Sequence, residues 1–375
     1  MKIVHIITGL NDGGAENTLF KICKFDTHNE HFVISLQGEG KYFSLLKEIG
    51  IKVYSINMNF FSILKIIRII SLLRILKPNL VQTWLVHGDF IGSIAAILSG
   101  NKNIVWNVRY SNFEIGKAKL MTIILIKILA KLSFFVPKLI VVVSKSAKKT
   151  CEEIGYCKKK LRLITNGYNL SELKPYRYHS SYIRKKLKIK KKIPIIGTVA
   201  RYDPKKDHIN LLNALSLVRS KNIDFFCVLI GSGINRFNKN LASEIKKLKL
   251  SGNIKLLNSS NNIPQTMNDI DIHIQSSRYG EGFPNVVAEA MACGTPCVVT
   301  NVGDAAFIVG NTGWVVPPKN SIKLAKAIEL AILEVNTVNW KKRCTQARLR
   351  IKKNFDIKKM INSFNKVWTS VFKKN

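Results

Sequence analysis

Two glutamates, Glu281 and Glu289, bracket a proline in RYGEGFPNVVAEAMACG, residues 278–294. Glu281 lies among glycines and Glu289 in a helical run. Pro284 suits the first helical position, where its missing N–H would be unpaired anyway. Val287, Ala290 and Met291 read as the buried stripe of that helix. A glycine loop followed by a helix N-terminus suits a polyhydroxylated, phosphorylated ligand. A capped core helix with a surface Glu fits the same residues. Upstream, GTVARYDPKKDH puts Arg201 at a strand end and Lys206 at the start of a helix. Two cations so spaced suit a diphosphate, and equally a surface charge pair. Gly231 and Gly233 follow another strand, and fit a wall of a nucleotide site.

The first half of the chain offers a second set. Gly13 and Gly14 sit in the loop GLNDGGAEN after the first strand, where backbone N–H groups approach a ligand closely. The loop is neither GxGxxG nor a Walker sequence, and a plain turn is the alternative. Glu16 is either a first-turn helix acid or a residue facing a ligand. His87, in TWLVHGDF, follows a strand and is placed to meet a substrate hydroxyl, with Asp89 placed to orient it; a structural histidine is the competing reading. Arg109 ends the strand in NVRYSN, where an arginine pairs with phosphate or carboxylate. No metal site is expected: the Asp269 and Asp271 pair reads as strand alternation. The seven scattered cysteines have no zinc spacing and point to a reducing, cytoplasmic compartment.

The elements that must hold these residues alternate. Strands KIVHII, HFVISLQ, IKVYSI, LVQTWL, NIVWNVRY and LIVVVS are separated by helices over 41–49, 62–76, 88–99, 117–133 and 145–154. The pattern restarts with IPIIGTVARY, DFFCVLIGSG, IKLLNS, IDIHIQSS and PCVVTN, with helices over 206–219, 238–248, 264–268, 284–293 and 320–334, then a helical stretch over 338–373. Apolar strands alternating with helices predict an α/β fold of two doubly wound, Rossmann-like domains. Ligands bind such sheets beyond the C-terminal strand ends, so a site in the cleft between two such domains is expected. The expected boundaries are a first domain over 1–170, a basic linker region over 171–192 that also reads as a surface helix, a nucleotide-sugar domain over 193–355, and a C-terminal helix over 356–375 crossing back to the first domain. The N-terminus reads as a strand, not a signal peptide.

Together these residues resemble the retaining glycosyltransferases of family 4, with GT-B architecture, of the bacterial polysaccharide and cell-surface glycan type. The resemblance rests on EGFPNVVAE followed by AMACGTPCV, with ARYDPKKDH upstream, and covers nearly the whole chain. It implies a nucleotide-diphosphate sugar donor, UDP-linked, and transfer of a hexose or N-acetylhexosamine to a lipid-linked or other glycan acceptor. It implies that Glu281 contacts the donor sugar near its 3- and 4-hydroxyls and Glu289 the ribose. Gly282, Phe283, Pro284, Asn285 and Val286 then belong to the donor loop. Arg201 and Lys206 grip the diphosphate without metal, Gly14 donates its N–H to phosphate, and His87 reaches the sugar's 6-hydroxyl. Where many members carry Glu, this chain has Phe307. Two other readings fit: a nucleotide-sugar epimerase of GT-B type, and a basic membrane- or polyanion-binding protein without catalysis.

The net charge is +37, from 60 Lys and Arg against 23 Asp and Glu, and calls for an anionic partner. No basic-aromatic interleaving or nucleic-acid motif is present, so no specific nucleic acid is expected. FSILKIIRIISLLRILK and KAKLMTIILIKILAKLSFFVPK mix cations with large apolar residues and lack a spanning apolar run. They suit peripheral attachment to an anionic membrane surface, expected at the inner face of the plasma membrane.

Overall fold

The computed structural model describes residues 1–58, 63–109, 120–176, 182–190, 192–260 and 262–373. The chain divides into two compact units, Met1–Gly167 with Ile357–Asn375, and Tyr168–Asp356.

In the first unit, β1 (Lys2–Ile7), β2 (Glu30–Ser35), β3 (Lys52–Ser55), β4 (Leu80–Trp84), β5 (Ile104–Val108), β6 (Leu139–Val142) and β7 (Leu161–Leu163) alternate with α1 (Gly14–Phe25), α2 (Lys41–Glu48), α3 (Ile63–Leu76), α4 (Leu85–Leu98), α5 (Leu120–Leu132) and α6 (Lys145–Ile154). The sheet order is β3-β2-β1-β4-β5-β6-β7, and every pairing is parallel. Its strands are nearly continuous runs of β-branched and aromatic residues, as a sheet buried on both faces requires. The edge strand β7, LRL, is too short to show in the sequence pattern. Gly88 and Gly92 let α4 lie close on the sheet. A Cβ at Gly92 would sit 2.7 Å from Thr83 Cγ2, and one at Gly88 3.0 Å from the Ile6 carbonyl oxygen.

In the second unit, α7 (Tyr182–Lys186) precedes β8 (Ile195–Val199), followed by α8 (His208–Arg219), β9 (Phe226–Ile230), α9 (Lys239–Lys247), β10 (Ile254–Leu257), α10 (Ile263–Asn268), β11 (Ile272–Gln275), α11 (Asn285–Ala292), β12 (Cys297–Thr300), α12 (Ala305–Val309), β13 (Trp314–Val316), α13 (Ser321–Glu334) and α14 (Val338–Asn354). The parallel order is β10-β9-β8-β11-β12-β13. The described residues of the basic stretch 171–192, expected as a linker or a surface helix, carry α7 and fall in this unit. The Arg184 guanidinium meets Asp271 at 3.0 Å, and the Tyr182 amide donates to Asp269 at 2.7 Å. The two aspartates are thus tethers for that segment.

The helical stretch 338–373 is two helices, broken at Phe355 and Asp356, where Asp356 forms an isolated bridge with Tyr168. The last, α15 (Ile357–Phe372), belongs to the first unit. It buries Met360, Ile361, Phe364, Trp368 and Val371 in the core built by α1, α2 and the sheet. Trp368 also donates its indole N–H to Gln82. Beside it runs a directed chain. The Trp84 indole donates to His5 Nδ1 at 3.2 Å. His5 Nε2 therefore carries the proton that reaches His31 Nδ1 at 3.0 Å, and His31 Nε2 donates to Asp26 at 3.1 Å. Asn365 of α15 completes the Asp26 shell at 3.3 Å. Against the desolvation, these donors hold the Asp26 carboxyl below its usual range, while burial keeps His5 neutral.

Removing a large buried aromatic costs about 3–5 kcal/mol, whereas an exposed change stays within about 0.5 kcal/mol. Trp368→Ala should therefore lower the unfolding free energy from urea titration by that larger margin, with a lower midpoint, and the exposed Lys366→Ala should leave the midpoint unmoved. Equal midpoints for the two would show that α15 does not complete this core.

Candidate functional site

Most of the expected residues lie at the switch point of each sheet, where strand order reverses and loops diverge, while Arg109 follows β5 and Gly231 and Gly233 follow β9. In the first unit the reversal falls between β1 and β4. Gly13 is the N-cap of α1 in extended conformation and Gly14 its first residue. The Glu16 carboxylate folds back over Gly13, closer than a Cβ there would allow. Burial raises its pKa, and Asp12 adds to the effect. Glu16 is thus the first-turn acid of the two readings.

His87 stands exposed in the first turn of α4, and partial desolvation lowers its pKa. The turn that delivers it is tight, with Leu85 at φ +67, a backbone region L-residues rarely occupy. Asp89 does not orient His87. It is buried, accepts from the Thr83 hydroxyl at 2.6 Å, and burial pushes its pKa up to about 8. The helix geometry turns Asp89 toward the sheet while His87 faces out. Arg109 leaves β5 stacked over Trp84, 5.3 Å from its ring. It donates to Asn107 at 2.9 Å and to Asn166 at 2.6 Å. Tyr110, Ser111 and Asn112 of the NVRYSN stretch lie outside the described residues.

In the second unit the reversal falls between β8 and β11, and its residues form a connected cluster. Lys206 Nζ meets Glu281 Oε1 at 2.6 Å, with both side chains largely buried. The Ser277 hydroxyl donates to the same Oε1 at 2.6 Å. Thr300 donates to the Ser277 carbonyl at 2.6 Å, and Ser276 to the Lys206 carbonyl at 2.8 Å. Two donors on Oε1 fix the carboxylate and leave Oε2 as its remaining acceptor. Gly303, at φ +59, packs on the Glu281 carbonyl where no Cβ fits, and the Asp304 amide donates to the Gly282 carbonyl at 2.8 Å. Sequence reasoning missed Ser277, Thr300 and Gly303. The first two are hydroxyls at strand ends, with no spacing to mark them. Gly303, in NVGD after β12, carried the signal of a glycine following a strand.

Arg201 is exposed and bonds Asp203 at 3.0 Å. Desolvation would raise Asp203, but the Lys205 amide and the Arg201 guanidinium hold its pKa below the usual range. Gly231, at φ +155, touches the Ala200 carbonyl, and Gly233, at φ +75, leaves a Cβ only 3.1 Å from Tyr202. Their observed work is to let the β8 and β9 loops meet. Pro284 is the N-cap of α11, not its first residue as expected, because its ψ of 101 is extended. Asn285 then opens the helix and accepts from the Tyr168 hydroxyl at 2.7 Å. Phe283 and Phe307 both pack edge-on against Phe355, so Phe307 serves an aromatic cluster. Val286 and Glu289 lie half-buried along α11. Burial and the Glu289 charge push the Cys293 thiol up to about 12.

Among the described residues, the group of His, Cys, Asp and Glu side chains close enough to hold a metal is His5, Cys23 and His31. All four ring nitrogens there are already engaged by hydrogen bonds, so a metal would have to break that chain.

The class of the second unit follows from the comparisons. Residues 180–349 match the family model described as "Glycosyl transferases group 1", and this stretch is a domain of that family. Two parallel-sheet Rossmann-like units match GT-B structures. HepE of Anabaena in complex with UDP has TM-score 0.87 and 21% identity, covering 99% of this chain and 100% of that one. A glycosyltransferase from Rickettsia africae has TM-score 0.86 and 21% identity, covering 100% and 99%.

Among particular proteins, the chain is 27% identical over 255 residues to the UDP-Gal:alpha-D-GlcNAc-diphosphoundecaprenol alpha-1,3-galactosyltransferase of Escherichia coli, covering 65% of this chain and 64% of that protein. It is 26% identical over 363 residues to the N,N'-diacetylbacillosaminyl-diphospho-undecaprenol alpha-1,3-N-acetylgalactosaminyltransferase of Campylobacter jejuni, covering 92% and 93%.

Beneath the cluster, His208 and His273 are buried and their ring nitrogens lack hydrogen-bond partners. Burial first, then the Lys206 charge, lowers them to about 4 and about 3. Both are neutral in the folded protein, whereas unfolded histidine titrates near 6.5. The unfolded chain binds more protons below that value, so their contribution to stability is lost as pH falls from about 6.5 toward 4. The melting temperature should drop across that window, and less steeply in a His208→Gln, His273→Gln variant. An identical slope in the variant would assign the acid lability elsewhere.

Proposed function

We propose that the protein is a retaining glycosyltransferase. It transfers a hexose or N-acetylhexosamine from a UDP-linked donor to a hydroxyl of a lipid-linked, cell-surface glycan, working at the cytoplasmic face of the plasma membrane. The observation that carries this is the Lys206–Glu281–Ser277 cluster at the β8/β11 switch point, inside the glycosyl transferases group 1 domain. The two relatives, whose names specify diphosphoundecaprenol-linked acceptors, support the acceptor class. The match spans just under two thirds of the first relative's length.

In this reading Glu281 Oε2 accepts from sugar hydroxyls and Glu289 from the ribose, while Arg201 and Lys206 face the diphosphate. Gly13, Gly14, His87 and Arg109 of the first unit share in donor binding or transfer. The bond from the sugar's anomeric carbon to the diphosphate breaks, and the acceptor oxygen bonds to that carbon on the same face. The acceptor proton goes to the departing phosphate. Cations placed where negative charge grows lower the barrier. No residue of the chain serves as a covalent nucleophile, and no metal takes part.

Donor consumption with a panel of UDP- and GDP-sugars and extracted lipid-linked acceptors tests the reading. Transfer is expected from a UDP-sugar and should survive EDTA. Isomerisation of donor without transfer would overturn it in favour of an epimerase, and loss in EDTA reversed by Mg²⁺ or Mn²⁺ would overturn the metal independence.

Glu281→Gln keeps an oxygen for Lys206 and Ser277 but removes charge facing a sugar that becomes positive. It should lower kcat about 100-fold, near 3 kcal/mol, with UDP affinity by calorimetry little changed. Arg201→Ala should weaken both. Equal losses of UDP affinity in the two variants would show that Glu281 is misplaced.

A further inference from the structure

An amphipathic helix on a globular unit normally turns its apolar stripe to the core. α5 is apolar on its outer side as well. Ile126, Leu129 and Ala130 are its buried residues, whereas Leu120, 71% exposed, Met121, Ile124 and Ile128 face solvent. Lys127 and Lys131 interleave with them on the same exposed side. The turn that follows adds two adjacent exposed rings, Phe134 and Phe135, the latter 86% exposed. That turn is pinned. Ser133 bonds the Ala130 carbonyl at 2.6 Å and accepts from the Cys157 amide at 2.9 Å, and Lys160 Nζ donates to the carbonyl oxygens of Ser133 and Phe134. The rings are therefore held outward.

α3 repeats the pattern on the same side of the sheet, with α4 packed between the two. Leu64, 79% exposed, Ile67 and Ile75 point outward beside exposed Arg68 and Arg74. Between residues 63 and 138, the acidic side chain among the described residues is Asp89, which is buried. No helix of the described residues is long and apolar enough to cross a membrane.

We infer that the α3/α5 face of the first unit is a membrane-docking surface, and that its occupant is the headgroup and upper acyl region of an acidic phospholipid bilayer. Outward aliphatic and phenyl groups bury themselves among acyl chains, while the interleaved cations meet anionic headgroups. A second copy of this face would set cations against cations, with no exposed carboxylate among the described residues 63–138 to answer them. A polyanion without an apolar phase would leave the apolar stripe unused. The inference deepens the reading above by naming the surface that meets the membrane. Vesicle binding is measured without sugar transfer, so the two fail separately.

The test is cosedimentation of the full chain with vesicles of phosphatidylcholine alone, or with roughly a third phosphatidylglycerol. Binding is expected to the acidic vesicles and to fall with salt. Ile124→Asn with Ile128→Asn, and separately Phe135→Ser, should each weaken it about tenfold or more, with melting temperatures unchanged because these residues are exposed. Lys127→Glu with Lys131→Glu should abolish the preference for acidic lipid. Ile322→Asn with Leu333→Asn, on exposed positions of α13, should bind like the unaltered protein. Undiminished binding of both apolar variants would overturn the inference. So would a dimer that dissociates in the Ile124→Asn, Ile128→Asn variant, which would give the face to a second copy.

Discussion

All-parallel pairing is the constraint on which both units depend. A parallel strand cannot return by a tight hairpin; it needs a crossover, and here the crossovers are helices. Each strand therefore ends on the same edge as its neighbours, and each helix begins there. Where strand order reverses, at β1/β4 and at β8/β11, adjacent loops part and side chains are left facing one another. Lys206, Ser277 and Glu281 meet for this reason, although Lys206 and Glu281 are 75 positions apart in the chain. Small residues make the arrangement possible: Gly92 where α4 lies against β4, and Gly303 where a loop lies on the Glu281 backbone.

The Lys206–Glu281 contact changes what the net charge means. A chain with +37 invites a picture of bare cations awaiting phosphate. Yet the lysine shares Glu281 with a serine, and Arg201 leans on Asp203. The cluster is close to neutral and held by hydrogen bonds from strand-end hydroxyls. Removing either partner of such a pair leaves a partly desolvated charge uncompensated. The charge excess lies elsewhere, on helix surfaces such as those of α3 and α5.

What local pattern encodes is legible in the sequence. α6 falls on the residues 145–154 expected of it, because Ser144 caps it and Gly155 ends it in a left-handed turn. The strands bearing LVQTW and CVVT are apolar runs bounded by turn residues, and were equally plain. Three-residue strands such as β7 and β13 are shorter than any period can reveal. The basic segment 171–192 looked like a linker because charge suggests solvent, while its tethers, Asp269 and Asp271, lie far away in sequence. Asp89 reads as a partner for His87 because the two are only two positions apart, but on a helix such neighbours point apart. The His5–His31–Asp26 chain left only one trace, a histidine inside an otherwise apolar strand. Its partners come from four other elements.

The return of α15 to the first unit bears on how the protein is made. Trp368, Phe364 and Asn365 come from a helix that follows the whole second unit in the chain, so a nascent first unit leaves the ribosome without the helix that completes the core of α1, α2 and the sheet. The second unit, contained within Tyr168–Asp356, emerges whole and has its complete core before the first does. The order of synthesis and the order of completion are thus reversed. For that interval Trp84 lacks Phe364, the ring it stacks on in the finished fold.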